Sequence, residues 1–346
     1  MTLLLPIAAA ESRPLALQWR ELAPLPDPVG RKGMFAGVSH GHGLLAGGSN
    51  FPVPQRAGGK KTFHRTVYVC PLPLADSTRW TSVPDALASP LGEGASVVTE
   101  KGIACLGGHD GTRPVASAFL LTWNAMARTV ARNALPDLPT ASANAAATTF
   151  AGSIYVAGGE SADGALATFW RLDLARASAG AQWETLLAWP GGPRFGAFLL
   201  KVATPSGPRL LFGGGLPGPA KTQADYLRDA WLFDPAARTW SAAAGLPRGA
   251  VLAATLAIDA TRAVVLGGSD GHDFARMKEL GERYRIPSDV LLYDAAADRW
   301  SVAGTMPLGV VGAAVVQDGE DWLVAGGEYS PGLRTAGVYA LRVRAR

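Results

Sequence analysis

The sequence has no stretch approaching the roughly 18 consecutive apolar residues that a membrane helix needs, so it offers no spanning segment. Cysteine is almost absent: Cys70 and Cys105 are the only two among 346 residues. Both lie inside apolar runs (TVYVC, GIACLGG), which reads them as small core hydrophobes rather than a bridge. Charge is sparse at 17%, and Lys+Arg 32 against Asp+Glu 28 leaves a net +4. No run of five or six like charges occurs, and the densest cluster, Arg342, Arg344 and Arg346, reads as a solvated segment, so nucleic-acid binding gets no support. The five histidines never fall at the HExxH spacing, and no cysteine cluster suits zinc. His40-Gly41-His42, at a hairpin turn, is the one modest metal candidate, and the reading is of a protein without metal or other cofactor.

Glycine (42), proline (25) and tryptophan (10) are abundant. Without a Gly-X-Y period, and with 48% apolar residues, that excess marks a folded, turn-rich chain rather than collagen or disorder. One short phrase recurs, three or four apolar residues followed by Gly-Gly. It appears as LLAGG (Gly47), ACLGG (Gly107), YVAGG (Gly158), LLFGGG (Gly213), VVLGG (Gly267) and LVAGG (Gly326), at intervals of 60, 51, 55, 54 and 59 residues. A variable loop follows each copy, then a strand such as DAWLFD or DVLLYD, in most copies a Trp (Trp80, Trp183, Trp240, Trp300), and a Pro in a turn. Four short strands per period of 50 to 60 residues describe one blade of a β-propeller. Six copies predict an all-β, six-bladed ring.

Glycine at the strand end permits close approach and unusual backbone angles, and the Trp is a large packing element between blades. The last repeat stops before any Trp, whereas LQWRELAPLP supplies Trp19 with no diglycine before it. The N-terminal strand is therefore expected to complete the sixth blade, with Trp19 in the blade of Tyr339, a closure that suits a monomer. Residues 1–15 read as a leader, or the remnant of an export signal with Ala8-Ala9-Ala10 at its cleavage site. Residues 16–346 then form one propeller domain.

Equivalent positions in a ring converge on one mouth, so the residues after each diglycine are candidates for chemistry: Ser49, His109, Glu160, Gly215, Ser269 and Glu328. Loops on that face also carry Asn50, Asp110, Arg113 and Arg334, and PR turns supply Arg194 and Arg248. In GGEYSPGLRT a turn at Pro331-Gly332 brings Glu328 towards Arg334, either as a general base beside an anion-binding guanidinium or as a loop salt bridge. The long loop SNFPVPQRAGGKKTFHR adds Lys60, Lys61 and His64. An insertion, His272 to Asp289, has the pattern of a short amphipathic helix (Phe274, Met277, Leu280, Tyr284) that either lids the mouth or packs passively.

The diglycine strands followed by an aromatic and a Trp resemble the Kelch repeat. Beyond it, GGSNFP (Gly47 to Pro52), GGPR (Gly191 to Arg194), GAAVV (Gly312 to Val316) and DWLVAGGEYSPGLRT (Asp321 to Thr335) resemble the bacterial sialic-acid mutarotases, or N-acetylneuraminate epimerases. The chain is most similar to their cyclically permuted branch, because its GE-x-x-PG-x-RT element lies near the C-terminus. The resemblance implies a six-bladed Kelch propeller, a periplasmic location, an acidic sugar as the small-molecule partner, Glu328 as proton acceptor and Arg334 as its site companion. Asn50, Lys61, His109, Arg113, Glu160 and Arg194 are the expected substrate-binding residues, with His109 or water as the returning acid and Arg194 or Lys61 helping Arg334 hold the substrate carboxylate. Ser330 departs from the unpermuted pattern, which has Lys before Pro-Gly; this bears on the identity of the sugar. A non-catalytic Kelch module binding a glycan or a protein is the competing reading.

Overall fold

The structure is a computed structural model describing residues 15–176 and 181–345. Short apolar runs ended by glycine form short strands, which assemble into six four-stranded antiparallel sheets. In the first blade the strands run outward as Phe35–Ser39, His42–Ala46, Val67–Pro71 and Thr81–Val83. The corresponding inner strands of the other blades begin at Ala95, Ala146, Phe198, Ala254 and Ala314. Together the six line a central cavity of about 240 Å³.

The ring closes as the sequence predicts. Leu15–Glu21 pairs antiparallel with Val338–Ala345, with Trp19 opposite Leu341, and forms the outer edge of the sixth blade. The Trp19 and Tyr339 rings meet edge-on at 6.4 Å. Leu15, assigned to the leader from sequence, is buried and already paired with Ala345. Residues 1–14, with Ala8-Ala9-Ala10, and Arg346 lie outside the described residues.

Six buried apolar clusters hold the ring, each shared by two neighbouring blades. Cys70 and Cys105 sit in two of them as free, buried thiols. The tryptophans do more than fill space. The indole Nε1 of Trp19, Trp80, Trp183, Trp240 and Trp300 donates to a carbonyl of the preceding blade, at Thr305, Ala23, Pro136, Leu187 and Ala244 respectively. The second blade has Val130 at the equivalent place, opposite Trp123.

The diglycine does not end the strand that lines the channel; it ends the next strand out. Its job is contact between blades. A Cβ on Gly158 (φ +63°) would lie 2.5 Å from the carbonyl oxygen of Arg194, which leads into the next inner strand. The N–H of Gly159 donates to that same oxygen at 2.9 Å. The pair Gly47-Gly48 meets the carbonyl of Leu91 in the same way. In the fourth repeat the positive-φ pair is Gly214-Gly215 rather than Gly213-Gly214, so the residue after it is Leu216 and not the expected Gly215.

The insertion is less regular than its amphipathic pattern predicts. It forms three successive single turns, Phe274–Arg276, Met277–Leu280 and Gly281–Arg283. Gly281, at φ +51°, interrupts the winding. Tyr284 and Ile286 are buried against Val311, with Met277 and Leu280 beside them. Phe274 turns instead to Tyr226.

Candidate functional site at the channel mouth

At the mouth, the residues that lead into the inner strands form a closed ring that the sequence reading missed. Gly33, Glu93, Asn144, Gly196, Leu252 and Gly312 all have positive φ, between 52° and 66°. Each donates its N–H to the carbonyl of its neighbour: Gly33 to Gly312, Glu93 to Gly33, Asn144 to Glu93, Gly196 to Asn144, Leu252 to Gly196 and Gly312 to Leu252, at 2.6–2.9 Å. Three glycines and an asparagine suit this left-handed conformation; Glu93 and Leu252 are held in it at a cost of order 1–3 kcal/mol each. The signal available in the sequence is the residue before each small-residue inner strand (KGMFAG, EGASV, NAAAT, VGAAV), not the residue after each diglycine.

Glu328 and Arg334 do come together. They are opposed in the hairpin of Glu328–Ser330 and Leu333–Arg334, and Arg334 Nη1 lies 2.7 Å from Glu328 Oε2. Lys32 Nζ approaches the same oxygen at 3.4 Å. Glu328 Oε1 accepts from the Gly332 N–H at 3.2 Å. Arg334 is only 8% exposed, its guanidinium stands over the Phe51 ring at 5.1 Å, and its Nε and Nη1 make no aligned hydrogen bond among the described residues. The Nη1 contact with Glu328 is thus close but not linear. Burial pushes the Arg334 pKa down, against the opposing pull of Glu328 and Glu93.

A second carboxylate, Glu93, lies beside this pair. Burial would raise its pKa, but the fields of Lys32 and Lys61, with hydrogen bonds from Lys61 and Ser49, outweigh that and hold the carboxyl below its usual range. Lys61 Nζ is 2.6 Å from Glu93 Oε1, and Ser49 Oγ donates to the same oxygen at 3.1 Å. Lys61 is therefore a paired ammonium rather than a free one. Lys32, Glu93 and Asn144 line the cavity, and Lys61, Glu93, Lys32, Glu328 and Arg334 follow one another with alternating charge, three positive and two negative.

The other expected residues divide. His109 stacks on Phe63 with centroids 5.2 Å apart, and its Nδ1 accepts from the Gly111 N–H at 3.0 Å, which leaves Nε2 as the protonated nitrogen of the neutral ring. Glu160 accepts from Asn144 Nδ2 at 2.7 Å. Arg113 is exposed on its loop, where its backbone N–H donates to Asp110 Oδ1.

Asn50 is not placed to bind a ligand. It is buried with both ends of its amide used: Oδ1 accepts from His64 Nε2, and Nδ2 donates to Asp27 Oδ2 and the Gly30 carbonyl. Burial, then the nearby Arg31 charge, lowers the His64 pKa to about 4 despite Asp27; the ring is neutral at pH 7 and donates through Nε2.

Arg194 is a further correction. It is 0% exposed, and its guanidinium is engaged by both oxygens of Asp229 at 2.7 and 2.8 Å and by the carbonyls of Gly214 and Gly191. Aromatic rings of Trp189 and Phe212 flank it. It joins blades and presents nothing to the mouth. Arg248 is likewise engaged by Asp289 and the diglycine carbonyls of Gly267 and Gly268.

His40 and His42 lie at the opposite end of their strands from the diglycine, and their Nδ1 atoms contact the carbonyls of Trp123 and His40 respectively. Among the described residues no three His, Cys, Asp or Glu side chains gather as a metal site, and no helix is long and apolar enough to cross a membrane.

The chain is similar to curated proteins named N-acetylneuraminate epimerase. It is 31% identical over 230 residues to that of Yersinia enterocolitica, covering 59% of this chain and 56% of the relative. The protein of Yersinia pestis (strain Pestoides F) is 31% identical over 229 residues, with the same coverage. That of Haemophilus influenzae (strain PittEE) is 30% identical over 225 residues, covering 58% of this chain and 57% of the relative. The chain thus spans a little over half the length of these relatives. No family model matches it.

Proposed function

We propose that the protein is an isomerase, a mutarotase that interconverts the α and β anomers of N-acetylneuraminate or a related acidic sugar. The observation that carries this reading is the ionic group at the mouth, a carboxylate flanked by Arg334 and Lys32 at the rim of a sugar-sized cavity. The names of the relatives support the choice of sugar. A similarity confined to a little over half of each chain is also what a cyclic shift of blade order would leave.

Mutarotation needs the anomeric hydroxyl proton removed, the ring C–O bond broken and the ring oxygen protonated; closure onto the other face reverses each step. No proton is gained or lost overall. Glu328 takes the hydroxyl proton, and water or the Nε2–H of His109 supplies the one for the ring oxygen. Positioned proton transfer of this kind is worth about 10² to 10⁴-fold. Arg334, whose side chain is only 3% exposed, favours the sugar carboxylate by its charge from beneath the mouth. The surplus of positive charge in the cluster favours an anionic ligand. A cavity near 240 Å³ lies just under the roughly 300–1,000 Å³ of ordinary ligand pockets, which suits one sugar unit rather than a chain. As part of the same proposal the protein acts as a monomer in the periplasm, with neither metal nor nucleotide.

The test is a proton NMR time course of freshly dissolved α-anomer, with and without the protein. Glu328→Gln is expected to abolish the acceleration in a folded protein that still binds the sugar, and Glu160→Gln only to weaken it. Unchanged anomeric exchange in Glu328→Gln would overturn the proposal.

A further inference from the structure

Lys32 belongs to the first blade by its backbone and to the sixth by its charge. Its N–H and carbonyl are both bonded to Ser49, at 2.9 Å each, which fixes the main chain on the first-blade side. The side chain then crosses the ring. A Cβ placed on Gly312 (φ +65°) would lie 2.6 Å from Lys32 Cγ and 3.3 Å from its Cδ and Cε, so the stem lies directly over the sixth blade's ring residue. A glycine is required there both for its backbone angle and for this passage. At the end of the crossing, Nζ reaches Glu328 Oε2, with only 14% of the side chain exposed.

The two oxygens of Glu328 are therefore unlike. Oε2 is shared by two cations, Arg334 at 2.7 Å and Lys32 at 3.4 Å. Oε1 accepts one neutral N–H, from Gly332, and retains lone-pair capacity. A proton arriving at Oε2 must displace cationic partners, whereas one arriving at Oε1 need not. We infer that Lys32 is a positioning residue of this site: it neutralises Oε2 together with Arg334 and leaves Oε1 as the atom that accepts the proton. This rests on the reading of Glu328 as the base. The charged groups around the pair are Arg334 on its own hairpin, Lys32 from the first blade, and Glu93 with its partner Lys61 on the far side of Lys32.

The experiment compares Lys32→Met, Lys32→Gln and Lys32→Arg with the parent chain, the glutamine variant serving if the methionine variant does not fold. Two readouts are taken. The first is the pH profile of anomeric exchange of N-acetylneuraminate by NMR. Lys32→Met is expected to lose about tenfold in kcat, a part of the roughly 10² to 10⁴-fold that acid–base help supplies. Its acidic limb should move to higher pH, and Lys32→Arg should restore both rate and profile. The second readout is independent of activity: carbon-13 titration of the Glu328 side-chain carboxyl, assigned by its disappearance in Glu328→Gln. Its midpoint should move upward in Lys32→Met and return in Lys32→Arg.

A Lys32→Met profile superimposed on the parent's, or a failure of arginine to rescue, overturns the inference. If the parent chain accelerates no exchange, the proposed function falls by itself. The carboxyl titration then decides the position of Lys32: a moved midpoint supports its hold on Oε2, and an unmoved one overturns it.

Discussion

Arg194 offers a sharp test of how the ring is held, because its side chain is wholly enclosed and its partners are known. Arg194→Met keeps most of the stem's volume between Trp189 and Phe212 but removes every hydrogen bond of the guanidinium. The carbonyls of Gly191 and Gly214 lose a donor, and the Asp229 carboxylate loses its bidentate partner, keeping only the Trp231 indole at 2.7 Å. Breaking a buried pair from one side costs about 3–5 kcal/mol. Because 35% of the Asp229 side chain is exposed, water can take up part of the loss, and the expected cost is the lower end, about 3 kcal/mol. With a urea slope near 3 kcal/mol/M, the unfolding midpoint falls by about 1 M.

The same pair sets the pH dependence. Burial would raise the Asp229 pKa, but hydrogen bonds from Arg194 and Trp231 and the Arg194 charge hold it below the usual carboxylate range. A folded-state pKa depressed in this way contributes stability that is complete above the unfolded value of about 3.9 and is lost as pH falls through the folded one. The midpoint gap between parent and Arg194→Met should therefore narrow from pH 7 towards pH 3. In an Asp229→Asn background the arginine substitution should cost at least about 1 kcal/mol less, because the abandoned charge is gone. A gap that is constant with pH, or normal stability with weakened sugar binding, would refute the structural role.

Two further substitutions probe the contacts between blades. Gly158→Ala must carry its methyl group against the Arg194 carbonyl at positive φ, whereas Gly152→Ala, at φ +72° with open space around it, bears only the backbone penalty of about 1–2 kcal/mol; urea midpoints should fall clearly further for Gly158→Ala, and equal losses would remove the steric account of the diglycine. Trp300→Phe leaves the Ala244 carbonyl without its indole donor and should cost about 1–2 kcal/mol by the same measurement, an outcome within error of zero counting against the indole bridges.

Six blades, closure by the strand around Trp19 and the Glu328–Arg334 pair were all legible because each depends on local pattern. A repeated glycine pair, an unmatched Trp and a Pro-Gly turn are visible as strings. Asn50 and Arg194 were misplaced for the opposite reason. Both stand near the mouth in sequence order, and only the three-dimensional packing reveals that Asp27, His64 and Asp229 have already taken their polar atoms. Lys32 and Glu93 escaped notice because the inner strand, not the diglycine strand, faces the channel. An ion pair across 296 positions, as between Lys32 and Glu328, leaves no periodic trace.

The ring of hydrogen bonds gives all six blades one backbone frame, so the chemistry at any blade depends on the side chains hung on it. Glu160 and Glu328 occupy equivalent places after a diglycine, and both are bridged to the segment entering the inner strand of their own blade, at Ala143 and Val311. Their surroundings differ. Glu160 meets a neutral amide, Asn144 Nδ2, and no cation lies within ion-pair distance among the described residues. Glu328 meets two cations on one oxygen. Replacing Glu160 by Gln leaves an acceptor oxygen in the same place for the Asn144 amide, so the local hydrogen bond survives and little is lost. Replacing Glu328 by Gln leaves Lys32 and Arg334 as two half-buried or buried cations facing an uncharged amide, and removes the group that could take a proton. The cation pair thereby becomes a stronger anion trap while the base is gone. Glu328→Gln should accordingly bind an acidic sugar at least as tightly as the parent chain in a calorimetric titration, while showing no accelerated exchange. Parallel loss of binding and exchange would mean that the carboxylate holds the ligand rather than working on it.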